Sequence, residues 1–161
     1  MSTGLKNHLL GSSSIANSGD LQSVMADGFI HIYGDQGSNG VPTDADAEIN
    51  TTSDYTLLAT IYSDGDTAGL ELDDASGGVI QKASGETWDN SVKENLADGT
   101  AIFFLHTGSG ESDGDSIGAS TTEPRILGTV GTVGADLNLS SVSLVEDEVQ
   151  EITNYSVTVG Q

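Results

Sequence analysis

Apolar residues in this chain come in short runs with a period of two, and Gly and Asp turns cut each run off early. That pattern excludes long amphipathic helices and selects strands. "FIHIYG" sets Phe29, His31 and Tyr33 on one face and Ile30 and Ile32 on the other. "YTLLATIYSDGD" reads as a second strand, punctuated by "DGD". "TAIFFLHTG" is apolar on both faces from Thr100 to Thr107, which predicts a central position. "GLELDD" and "GGVIQKA" read as short strands around turns. "EITNYSVTVG" is a further strand, with Tyr155, Val157 and Val159 on one face. "ETWDNSVKENLADG" places Trp88, Val92 and Leu96 four residues apart and reads equally as a helical turn or a loop.

The stretch "GTVGTVGADLNLSSVSLV", Gly128 to Val145, is strand-like and chemically quiet. "RILGTVGT" and "ADLNLSS" are expected to pair as a hairpin around Gly134, where a glycine supplies positive φ. Leu137 and Leu139 share one parity and Val142 and Leu144 the other, so a bulge or kink is expected near Ser140. Two polar loops intervene, "DQGSNGVPTDADAEINTTSD" and "GSGESDGDSIGASTTEP". The sum predicts an all-β fold, an antiparallel β-sandwich or jelly-roll-like barrel with a short N-terminal helical arm. The arm takes residues 1–27, and 28–161 form a single β-sandwich domain. Within the arm, Leu5, Leu9 and Leu10 share one helical face. Leu21, Val24 and Met25 repeat the pattern and stop at Gly28. The region reads as a docking arm as readily as part of the core.

Charge narrows the partners. Asp and Glu number 25 against four basic residues, Lys6, Lys82, Lys93 and Arg125, for a net charge of −21. Such a surface repels nucleic-acid phosphate and anionic membranes, so neither is an expected partner. The charge serves solubility, or mutual repulsion of copies, or a partner with a basic face. Cysteine is absent, which rules out disulfides and thiolate metal sites. "MSTGLKNHLLGSSS" lacks the pattern of a signal peptide, so assembly in the cytoplasm is expected. "AIFFL" is the longest bulky run, far short of a membrane span.

Candidate chemistry is sparse. His8, His31 and His106 lie in separate segments, without metal-ligand spacing or a G-x-S-x-G nucleophile. His106 is expected as a partly exposed strand residue near the acidic loop. "SDGDTAG" offers Asp64 and Asp66, and "ESDGDS" offers Glu111, Asp113 and Asp115, as calcium candidates, since carboxylates two residues apart can share a hard cation. Neither follows the D-x-[DN]-x-[DN]-G loop with a distal Glu, and Asp-Gly is also ordinary turn chemistry. A glycosidase carboxylate pair has nothing to fix its separation. A carbohydrate-binding module would show an aromatic platform, and the chain has one Trp, four Tyr and three Phe. The glycines of "GTVGTVG" precede no helix, so they fail the dinucleotide context. No catalytic residue and no cofactor is expected.

The runs "GFIHIYGDQGSNGVPTDADAE", "TLLATIYSDG", "GTAIFFLHTG" and "EPRILGTVGTVGADLNLSSVSLVEDEVQEITNYSVTV" resemble a family of small tailed-bacteriophage proteins. The shared order is an "LKN" segment, a strand ending I-Y-x-G, an Ala/Asp loop, L-L-A-T, and a closing G-T-x-G-x-x-G-A-D-L-N-L segment. The resemblance covers roughly residues 28–62 and 99–159, and the closing motif is its most specific part. This chain departs in its greater acidity and its longer "GSGESDGDSIGAS" insertion. The resemblance implies a virion structural protein present in many copies, partnered by the major capsid protein and by itself. Capsid decoration, or cement, on the outer head is the expected post. Head–tail joining, a tail component and a host-binding module are the alternatives, with a calcium- or carbohydrate-binding module as the reading of another class. The arm residues Leu5, Leu9 and Leu10 are the expected docking contacts. Far-UV circular dichroism should give a β-dominated spectrum, and strong helical minima would overturn the fold class.

Overall fold

The computed structural model describes residues 21–74, 76, 79–111 and 116–158. Its elements are α1 (Leu21–Met25), β1 (Ile30–Asp35), β2 (Tyr55–Ser63), β3 (Val79–Gln81), β4 (Trp88–Asp89), β5 (Gly99–Thr107), β6 (Arg125–Gly131), β7 (Leu137–Asn138), β8 (Ser143–Leu144), β9 (Glu151–Ile152) and β10 (Ser156–Thr158). The main sheet runs β7-β6-β5-β1-β2-β4-β9, with β8 paired to β5, and β10 pairs β3 in a second, two-stranded sheet. The fold is all-β and sandwich-like, with a curled main sheet.

The long apolar strands take the centre, as their two-sided pattern demands. β5 lies between β1 and β6, and β1 between β5 and β2. One face packs Ile30, Ile32, Leu58, Ile61 and Phe104 beneath α1, Trp88, Leu137, Leu144 and Tyr155. The other packs Tyr33, Leu57, Phe103 and Leu105 beneath Ala45, Ile49 and Ile117, which the two polar loops supply. Those loops are stitched together by a bridge between Ile49 and Ile117.

Two register shifts shape the centre. Against β2, Ile32 pairs with Ala59 but Tyr33 with Leu57, which leaves Leu58 unopposed. Against β5, Tyr33 pairs with Phe103 but Gly34 with Ala101, which leaves Ile102 unopposed. An extra residue bends its strand and sharpens the twist. Leu58 turns its side chain toward two glycines: a Cβ on Gly99 would sit 2.6 Å from Leu58 Cδ2, and one on Gly34 3.3 Å from Leu58 Cδ1.

The structure corrects several expectations. The segment after β6 is not an antiparallel hairpin: β6 and β7 pair in parallel, Val130 with Leu137 and Gly131 with Asn138. Parallel neighbours ordinarily need a crossover of about a dozen residues or more. Here only two residue pairs form. The short loop is tied down by the Asp136 carboxylate, which accepts Thr129 N–H and Oγ1–H, each at 2.8 Å. Gly134 in that loop has φ +73°. Around Ser140 the chain does not bulge within one strand but leaves β7, paired to β6, and re-enters the sheet as β8, paired to β5. Leu137, Leu139 and Leu144 all reach one core.

Helix α1 does not lie outside the packed body. Leu21 and Met25 are buried in the same core as the strands. Gly28 lets the link to β1 pass, since a Cβ there would sit 1.7 Å from the Thr107 carbonyl oxygen. The "ETWDNSVKENLADG" stretch is a two-residue strand followed by turns. Glu94 has φ 53° there, and Val92 and Leu96 are exposed. Leu5, Leu9, Leu10 and His8, with Val159, lie outside the described residues.

Leu58→Ala should destabilise the fold by about 2–5 kcal/mol through the cavity it leaves. Gly99→Ala alone should also destabilise, but clearly less in the Leu58→Ala background, with a coupling of about 0.5–3 kcal/mol. Urea unfolding of the four-protein cycle measures this, and strict additivity would refute the contact.

Candidate functional site

The two ends of the main sheet meet at one groove. β7 and β9 are its edge strands. Residues 136–141 and 143 from the β7–β8 side, and 148–156 from the β9–β10 side, together with Gln81, line a single depression of about 940 Å³. Leu137, Leu139, Ile152 and Tyr155, which belong to the core, and half-exposed Val149 form its apolar parts. Asp136, Glu148 and Glu151 put exposed carboxylates on its walls, among the amides of Asn138, Gln150 and Asn154. None of its lining residues is basic.

An amide clip holds one wall. Asn90 Nδ2 donates to Asn95 Oδ1 at 2.9 Å, and Asn95 Nδ2 donates to the Val145 carbonyl at 2.8 Å. Gln150 N–H donates to Asn90 Oδ1 at 2.6 Å. Both asparagines are buried. They fasten the turn after β4 to the segment that leads into β9. Nothing in composition or spacing marks them, since asparagine in a turn-rich stretch ordinarily caps or turns its own backbone.

The sequence-derived candidates fall elsewhere. Asp64 and Asp66 are turn staples: Asp64 Oδ1 accepts Thr87 N–H and Asp66 Oδ1 accepts Thr67 N–H, each at 2.7 Å. Asp113 and Asp115 lie outside the described residues. Glu111 is engaged with Arg125 at 2.7 Å, on the far face of the sheet from Trp88. Among the described residues no group of three or more His, Asp or Glu side chains could hold a metal ion. Asp35 works as a loop anchor that the "DQGSNG" spacing does encode. Its carboxylate accepts the N–H groups of Gly37, Ser38, Asn39 and Gly40 at 2.9–3.1 Å. These bonds, Gly40 first, hold its pKa below the usual carboxylate value. Thr129 does the same for Asp136.

The two described histidines are core residues, not a site. His31 and His106 point to opposite faces of adjacent strands. His31 Nδ1 lies 3.2 Å from Thr60 Oγ1, and His106 Nδ1 lies 2.8 Å from Tyr155 Oη. His106 is fully buried rather than partly exposed, under Trp88 and Tyr155. The apolar positions that follow it in space, not in sequence, cover it. Burial pushes its pKa down to about 3, against a smaller opposing pull from the Met25 backbone.

Compared with known proteins, the chain matches no family model, no curated protein and no solved structure. Among the described residues no helix is long and apolar enough to cross a membrane.

Neutral His106 makes stability pH-dependent. Its folded pKa, about 3, lies below the ordinary 6.5, so the unfolded chain gains a proton first as pH falls. Its contribution is fully present above pH 6.5 and declines below it, with a slope approaching about 1.4 kcal/mol per pH unit. Urea midpoints measured from about pH 7 to pH 4.5 should fall for the natural chain and flatten for His106→Gln. An unchanged slope in the variant would refute the assignment.

Proposed function

We propose that this chain is a virion structural protein of a tailed phage, a decoration protein on the outer head surface. In this reading, copies bind the major capsid protein and one another and reinforce the shell without catalysing a reaction. The resemblance of the closing "GTVGTVGADLNL" segment to small phage proteins supports the class. One observation favours the outer surface: the described cations are all engaged locally. Arg125 is buried and pairs with Glu111. The Lys82 ammonium donates to the Glu86 carbonyl and lies 6.0 Å over the Trp88 ring. The Lys93 ammonium lies 5.2 Å over the Tyr62 ring.

What remains for solvent is a field dominated by carboxylates, 25 in the whole chain. A protein facing packaged DNA would be repelled by it, whereas one facing water gains colloidal stability. Buried Asn90 and Asn95, the Asp35 anchor and the Asp136 staple fix the loops that carry this charge. Rigid acidic loops on a β body suit a part that must present one surface repeatedly.

Gold-labelled antibody against the protein, applied to intact particles, should decorate the head surface. Label confined to the neck or tail would overturn decoration in favour of a joining or tail role. Label on no particle would overturn the virion reading.

A further inference from the structure

The main sheet begins at β7 and ends at β9, and both open edges line the same groove. An unpaired edge carries backbone donors and acceptors that another strand can use, and such edges are ordinarily covered or charged. Here they are not far apart on a broad surface but flank one depression of about 940 Å³, where half-exposed Val149 lies among the core residues Leu137, Leu139 and Ile152. Two continuous runs of chain, 136–141 and 148–156, form its walls, which suits an extended polypeptide segment.

Charge selects which segment. The groove holds Asp136, Glu148 and Glu151 and no basic side chain. An acidic segment would be repelled, and most of this chain is acidic. Residues 1–19 form the longest stretch without Asp or Glu, and they contain Lys6 and His8. Within them Leu5, Asn7 and Leu9 alternate with Lys6, His8 and Leu10. In a strand this puts two leucines on one face and two basic groups on the other.

We propose that the groove receives residues 5–10 of a second copy of this chain as an added strand along β7 or β9. Leu5 and Leu9 then meet Val149 and the edges of the core residues beside it, and Lys6 and His8 meet the carboxylates of the rim. Each copy both gives a segment and accepts one, which links neighbours into a series. The choice of a second copy rests on the many-copy reading above; the open edges and the charge match do not.

The absence of cysteine makes the test clean. Full-length Asn7→Cys protein is mixed with full-length Ser140→Cys protein, and disulfide-linked dimer is followed on non-reducing gels. Asn154→Cys repeats the measurement at a second groove position; Ser140 and Asn154 are both exposed, so neither change disturbs the core. The control partner is Ser53→Cys, exposed in the loop between β1 and β2. Groove pairs should cross-link at least about tenfold faster than the control, because docking raises the local thiol concentration. Lys6→Glu in the Asn7→Cys chain should remove most of that advantage. Equal rates for groove and control would overturn the proposal. So would a dilute Asn7→Cys/Ser140→Cys double variant that closes its disulfide within one chain faster than the mixed proteins join. Particle labelling without groove cross-linking overturns this occupant alone, and cross-linking without particle labelling overturns the virion reading alone.

Discussion

The fold depends on one crowded point, the seat of Leu58 over Gly34 and Gly99. Leu58 is the extra residue where β2 loses register with β1, and Ile102 is the extra residue on the other side of the same strand. Two bulges at one level bend β1, β2 and β5 together. That bend curls the sheet until its terminal strands line one groove. A side chain larger than glycine at position 99 would oppose the bulge, and a smaller one at 58 would leave it empty. The curl therefore rests on three residues from three segments, and the groove inherits its shape from them.

Part of the large negative charge is structural. Asp35 gathers four backbone amides, Asp64 caps the approach of Thr87, and Asp136 holds Thr129. A carboxylate can accept several amide protons where a hydroxyl or amide side chain accepts fewer. A chain whose core is covered on one face by loops, not by a second full sheet, needs such anchors. The loop residues Ala45, Ile49 and Ile117 reach the core beside further ties: Asp46 N–H donates to Asp44 Oδ1, and Ile49 and Ile117 exchange backbone hydrogen bonds. Acidity in this sequence thus combines a solvent-facing role with a set of internal staples.

The centre of the fold was legible and its periphery was not. β1, β2 and β5 announce themselves because both parities are apolar, and a strand buried on two faces needs that composition. The turn at Gly134 was legible from its glycine, but the direction of the strand after it was not. Direction is set by Asp136 reaching back to Thr129, a contact between side chain and backbone that alternation does not encode. Leu21 and Met25 carry a helical spacing that fits a docking arm and a core helix equally. Only the close passage of Gly28 by Thr107 decides for the core. His106 followed the same rule: its exposure depends on Trp88 and Tyr155, which arrive from distant segments. The groove was invisible because it is made by two short edges that meet only after the sheet has curled.

The way Tyr155 closes the structure has a consequence for how the chain is made. Its hydroxyl meets His106, its ring lies against Trp88 and Phe104, and β9 and β10 on either side of it pair with β4 and β3. These contacts join segments roughly fifty or more residues apart, so they form late and at high entropic cost. During synthesis, β1, β2 and β5 can meet as soon as each has left the ribosome. The apolar face over Trp88 and Phe104 stays uncovered until Tyr155 has followed. The nascent chain therefore passes through an interval with a formed sheet and a sticky flank, during which its net negative charge opposes association with neighbouring copies.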